Sequence, residues 1–176
     1  MNDYGKRIDK TTVRFERLLP GPIERVWAYL IEPEKRMKWF AAGETELKPG
    51  GKAEFHFNHS RITDEKPPKK YEDHNGEIKF EGTVLEAAPP RLLVFDWPEE
   101  NGERTRVRIE LEPRGDKVML TLTHSLLEKR ETMISVSGGW HIHLDMLEAV
   151  LTDAPQPPFW ASVVRYEDEY EKRHGA

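Results

Sequence analysis

Two histidines, His124 and His143, fall on patterns that are otherwise apolar. His124 ends the alternation Val118, Leu120, Leu122 and keeps its inward parity. His143 lies in the apolar arc of a helical repeat, beside Trp140 and Leu147. A neutral imidazole has one donor and one acceptor, and on a dry face both need partners. Either histidine can be a core residue bonded to a backbone carbonyl or water, or a polar anchor for a ligand. Acid–base catalysis is the third reading. The sequence places no carboxylate to orient either ring. The balance leans away from an enzyme, and no catalytic residue is assigned.

The remaining reactive residue types carry less. His56 and His59 are three apart, which in a strand puts them on opposite faces and argues against a shared metal. His141 and Asp145 form an i, i+4 pair on what the helical repeat makes the wet side. Ser125 and Ser135 lack the surroundings of a nucleophile. The chain has no cysteine, which excludes disulfides, thiolate zinc sites and cysteine nucleophiles. No cofactor or metal is expected.

Aromatic residues supply the second signal. Trp39, Phe55, Phe57, Phe80, Phe95, Trp97 and Trp140 all fall where they can face one interior. Taken singly each is ordinary core. Together with His124, His143 and Leu147 they suit a pocket for an apolar or aromatic ligand, because such sites are mostly apolar with a few polar groups.

The elements that must position these residues follow from periodicity. Ser137 to Leu151 reads as one amphipathic helix, about 22 Å long, with Ser137 as N-cap and Asp153-Ala-Pro155 as its end. Trp140, Leu144, Leu147 and Leu151 form its stripe, and His141, Asp145 and Glu148 its wet side. Thr11–Leu19 reads as a first strand, followed by a helix over 22–31 and a second short helix over 34–40. Strands are expected at 52–58, 78–88, 91–97, 105–112 and 118–124, with Gly82 as a bulge. Turns are expected at Pro49-Gly-Gly51, Asn101-Gly102 and Arg114-Gly-Asp116. Residues 59–77 are polar and read as a long, disordered hairpin loop. Phe159, Val163, Tyr166 and Tyr170 stripe a last helix over 159–172, packed outside the body. Consecutive hairpins make this an α+β chain with one antiparallel sheet and helices on one face.

Leu18-Leu-Pro-Gly-Pro-Ile-Glu-Arg-Val-Trp27, Glu32-Pro-Glu34 and Trp39-Phe40 resemble the opening of the activator-of-heat-shock-protein-90-ATPase-homologue-like family. Gly82-Thr-Val-Leu-Glu86 with Pro90-Arg-Leu-Leu-Val-Phe-Asp-Trp97 resembles its central hairpin. Thr121-Leu-Thr-His124 and Gly138-Gly-Trp140, with Leu144, Leu147 and Leu151, resemble its closing strand and helix. The resemblance covers about residues 12–151. It implies the START-like, polyketide-cyclase-like superfamily and a helix-grip fold, in which a curved antiparallel sheet wraps a long C-terminal helix around an apolar cavity. Gly21, the charged stretch 59–77 and the helix after Pro158 depart from the family pattern. Residues 11–152 are expected to form the START-like domain, with 153–176 a linker and an added helix on the same domain.

Net charge is −5, so a nucleic-acid partner is not expected. No apolar run approaches the ~18 residues of a membrane span, and the first residues lack an apolar signal region. A cytoplasmic protein that binds a small hydrophobic molecule is the leading expectation. A chaperone-directed interaction protein is the alternative from another class, and a cyclase or hydrolase acting in the same cavity the third. The striped last helix is also a surface that two subunits could exchange in a homodimer.

Overall fold

The computed structural model describes residues 4–74, 76–99 and 101–175. Asn75, within the predicted loop, lies outside them. Seven strands form one antiparallel sheet: β1 (Lys6–Asp9), β2 (Thr12–Pro20), β3 (Lys52–Asn58), β4 (Glu77–Ala88), β5 (Leu92–Pro98), β6 (Arg104–Arg114) and β7 (Lys117–Ser125). Their order is β1-β2-β7-β6-β5-β4-β3. The helices are α1 (Ile23–Ile31), α2 (Pro33–Arg36), α3 (Arg130–Thr152) and α4 (Phe159–Arg173). The curved sheet grips α3, which makes this a helix-grip fold with one further helix.

Alternation decides which strand residues face α3. Val13, Phe15, Leu19, Val107, Ile109, Leu111, Val118, Leu120 and Leu122 are all buried, while the opposite parity holds charges on β6 (Arg106, Arg108, Glu110, Glu112) and Met119, Thr121 and Thr123 on β7. The outer face is wet, as expected for an antiparallel sheet covered on one side. β1 is an addition the sequence reading lacked: a short, exposed strand paired along β2. The bulge in β4 falls at Leu85, between Val84 and Glu86, and not at Gly82. Gly82 is small for another reason: a Cβ there would collide with the backbone oxygen of Asp96.

α3 is longer than its periodicity suggests. It starts at Arg130, so Ser137 is not its N-cap. Ser137 is buried in mid-helix, its Oγ 3.2 Å from Nε2 of His174 beyond α4. Gly138 and Gly139 read as a helix start because glycine is a poor helix interior residue. Tertiary packing overrides that preference, since a Cβ on Gly138 would press against Glu167 of α4. At the other end Asp153 takes the left-handed conformation (φ 55°) and closes the helix. The second short helix is a single turn, α2, and Met37–Trp39 continue only as a turn.

Arg36 locks that turn to the sheet edge. Its guanidinium is buried and donates to the carbonyls of Ala41 (2.8 Å), Ala42 (3.0 Å), Gly43 (2.9 Å) and Glu54 (2.6 Å), and to Thr45 Oγ1 (2.9 Å). It also lies 4.7 Å from the centre of the Phe55 ring. Burial lowers its pKa to about 10, with Glu44 opposing the shift, so it remains charged at neutral pH. Lysine cannot reproduce the planar fork. Arg36→Lys should lower stability by at least about 2 kcal/mol, since each buried carbonyl left without a donor costs about 1–3 kcal/mol. Lys35→Gln, in the exposed pair with Glu32, should stay within about 0.5 kcal/mol. On α3, Leu144→Ala should cost about 2–5 kcal/mol and exposed Glu148→Ala under about 0.5 kcal/mol. Urea melts measure all four.

Candidate functional site

Between the sheet and the first two-thirds of α3 lies a cavity of about 550 Å³. Its α3 wall runs from Glu131 to His143, and Leu144, Leu147 and Leu151 do not reach it. There the helix packs directly on the sheet. Of the residues chosen from sequence, Phe57, Phe80, Trp97, His124, Trp140 and His143 line the cavity. Trp39, Phe55, Phe95 and Leu147 lie behind its wall as core. Trp39 donates its indole N–H to the Tyr29 carbonyl on α1 (2.8 Å), which turns its ring away.

The aromatic wall has a centre that periodicity did not single out. Phe40 stacks on Trp39 (5.2 Å between ring centres) and on Trp140 (5.0 Å), and meets Phe57 edge-on (4.9 Å). Its signal was only the Trp39-Phe40 dipeptide, in a segment too short to reveal which ring points inward. Trp97 completes the wall, 5.5 Å from Phe80 and 5.0 Å from Phe55.

His124 is committed on both sides. The Trp140 indole N–H can only donate, and it reaches His124 Nδ1 at 2.9 Å. Nδ1 is therefore the lone-pair nitrogen, and Nε2 carries the hydrogen toward Thr105 Oγ1 at 2.7 Å. Thr105 in turn stands 3.1 Å from the Glu99 carboxylate. A carboxylate thus does orient this ring, through a threonine, a relation that spans three strand ends and has no sequence spacing. His143 is bonded on one side: Nδ1 donates to the Trp39 carbonyl at 2.7 Å. Burial holds both rings near a pKa of about 3, so both are neutral at pH 7.

The segment after β3 closes the cavity and corrects the expectation of a disordered loop. Its described residues form two short 3-10 turns, His59–Arg61 and Lys69–His74. His59 leaves the strand and turns toward the cavity, 6.3 Å from the His143 ring and 4.9 Å from Trp160. Tyr71 stacks on Trp160 (5.5 Å) and donates to Glu167. Glu65 accepts from the free N–H groups of Trp160 (3.0 Å) and Ala161 (3.3 Å), capping α4 from a distance. Charge composition suggested solvation, but these polar groups have partners on α4 that only the fold brings near.

α4 also corrects the reading of His141 and Asp145 as a wet pair. It covers them, burying Phe159, Val163, Tyr166 and Tyr170 within the chain. His141 Nδ1 is 2.9 Å from the Tyr170 hydroxyl, which also accepts the Gly5 N–H at 2.7 Å. Tyr166 stacks flat on the His141 ring and donates to Asp145. Arg17, buried on β2, stands 3.5 Å from the same carboxylate. This network fastens α4 and lies apart from the cavity lining.

His143→Leu should destabilise by about 1–3 kcal/mol, because it leaves the Trp39 carbonyl buried without a donor. The depressed imidazoles also set an acid limit. Each binds its proton in the unfolded chain near pH 6.5 but in the folded chain only near pH 3. The unfolded state therefore takes up more protons as pH falls, and stability present above pH 6.5 is lost below it. The slope approaches roughly 1.4 kcal/mol per pH unit for each of these two rings. Urea midpoints measured between pH 7.5 and 5 should fall below pH 6.5, ahead of most carboxylate titration; flat midpoints over that window contradict this.

Residues 20–152 match the family described as activator of Hsp90 ATPase homolog 1-like protein. The solution structure of the protein encoded by gene BPP1335 of Bordetella parapertussis is 43% identical, covering 98% of this chain and 91% of that one, with a TM-score of 0.85. CalU16 of Micromonospora echinospora shares the fold at 20% identity, covering 98% and 96%, with a TM-score of 0.70. EF2215 of Enterococcus faecalis, a conserved protein of unknown function, does so at 19% identity, covering 99% and 94%, with a TM-score of 0.67. No curated protein matches the chain. Among the described residues no helix is long and apolar enough to cross a membrane. Helix-grip architecture, cavity and family match agree, and the chain belongs to the activator of Hsp90 ATPase homologue 1-like family.

Proposed function

We propose that the protein binds a small apolar or aromatic molecule in the cavity between the sheet and α3. The observation that carries this reading is the cavity itself: about 550 Å³, walled by Phe40, Phe57, Phe80, Trp97 and Trp140. Protein interiors are otherwise close-packed, so a space of this size bordered by rings favours a ligand of matching character. Trp140, His124, Thr105 and Glu99 satisfy one another along one side, which keeps that wall rigid without drawing on the ligand. No observation favours the chaperone-directed alternative. The enzymatic one loses His124 as a base, since both of its nitrogens are engaged, and has no carboxylate among the described residues bonded to His143, whose Nδ1 is held by a backbone carbonyl.

Gly139 offers a clean test. It lines the cavity, and a Cβ built on it meets nothing within 4 Å. A side chain there extends into the space a ligand would use. Gly139→Ala should raise stability by about 0.5–1 kcal/mol, as expected for glycine replaced in a helix interior. Gly139→Leu should fold and lose most of its affinity for an environment-sensitive hydrophobic dye. Dye titration with thermal unfolding of the three proteins checks this. Equal dye binding by wild type and Gly139→Leu would sink the cavity as the binding site.

A further inference from the structure

We infer that the cavity selects neutral aromatic molecules that donate a hydrogen bond, and rejects carboxylates, because His143 faces it with a lone pair. This rests on the reading of the cavity as a ligand site and adds the polarity of what enters it.

The argument begins with His143. A carbonyl can only accept, so the nitrogen 2.7 Å from the Trp39 oxygen carries the ring hydrogen. The ring is neutral, which leaves Nε2 as an acceptor. No described residue bonds it, and the ring lines the cavity. The His59 ring lines the cavity beside it, 6.3 Å away between ring centres, with its Nδ1 buried and without a hydrogen-bond partner among the described residues. A buried acceptor without a donor is costly, and a ligand hydroxyl or N–H relieves that cost.

Charge narrows the class further. Burial keeps His143 and His59 neutral, at about 3 and about 4, so neither offers a cation to an anionic ligand. The two lysines among the lining residues already have carboxylates: Lys70 holds Glu167 at 3.0 Å and Lys129 holds Glu103 at 3.3 Å. The Glu99 carboxylate lines the same space. A ligand carboxylate would meet the His143 lone pair and another carboxylate while losing its own hydration. A ligand ammonium is opposed by the same burial that keeps the imidazoles neutral. A planar ring bearing a hydroxyl finds both the aromatic wall and an acceptor.

Three fluorescent probes of one shape separate these cases: 1-hydroxypyrene, 1-methoxypyrene and pyrene-1-carboxylate, titrated into the full chain at pH 7. The hydroxyl probe should bind about 5- to 10-fold more tightly than the methoxy probe, the worth of one buried hydrogen bond. The carboxylate should bind most weakly. His143→Leu should bring the hydroxyl-to-methoxy ratio close to one while methoxypyrene affinity persists, and the ratio in the wild type decides the matter if that variant unfolds. Equal binding of hydroxyl and methoxy probes to the wild type overturns this inference and leaves the cavity reading intact. Tightest binding of the carboxylate, or an unchanged ratio in folded His143→Leu, also overturns it. Failure of all three probes overturns the cavity reading and this inference with it.

Discussion

The hydrogen bond from the Trp140 indole to His124 joins α3 to β7 where helix and sheet part. Beyond it, Leu144, Leu147 and Leu151 lie flat on the sheet and leave no room. Before it, the helix is held off by rings, and the cavity opens. The bond fixes the tautomer of His124, and that tautomer fixes the direction of the next bond to Thr105 and on to Glu99. One donor that cannot also accept thus orders a line of four side chains from helix to strand ends. Low local dielectric strengthens such a line and penalises any gap in it.

The same economy explains why the interior tolerates several histidines. A neutral imidazole is a flat, partly apolar body with two polar tips, and it packs well if both tips are answered. His124 has both answered by side chains, His141 leans on Tyr170 and Tyr166, and His143 has one answered by a carbonyl. Burial keeps these three uncharged at neutral pH. The cavity-facing end of His143 is therefore the place where the polar accounting of the core stays open.

α4 and the charged segment after β3 depend on each other. Glu65 supplies the acceptor that the first turn of α4 lacks, and Tyr71 and Lys70 meet Glu167 further along it. In return Phe159 and Trp160 give the segment an aromatic surface to lie on, with His59 between them and the cavity. Neither piece has this support alone. The segment lines one end of the cavity through His59, Lys70, Tyr71 and His74, with α4 behind it, and Gly138 permits the close approach of α4.

The strands, their inward parity and the stripes of α3 and α4 were legible in the sequence, because alternation and helical spacing are local and burial follows them directly. Thr105, Val107, Ile109, Leu111 and Val118, Leu120, Leu122, His124 face inward as their parity requires. Trp140 and His143 were legible as cavity residues for the same reason. What the sequence could not supply were relations between distant segments. Nothing local distinguishes Phe40 from Trp39, marks Glu99 as the partner of Thr105, or sends Glu65 to the N-terminus of α4. His141 looked wet because its own helix makes it so; a second helix, folded over it, made it core. The sequence determined which face of each element is apolar, since that is a property of one element. Tertiary structure alone decided which polar groups meet across elements, because hydrogen bonds depend on positions in space that no spacing along the chain encodes.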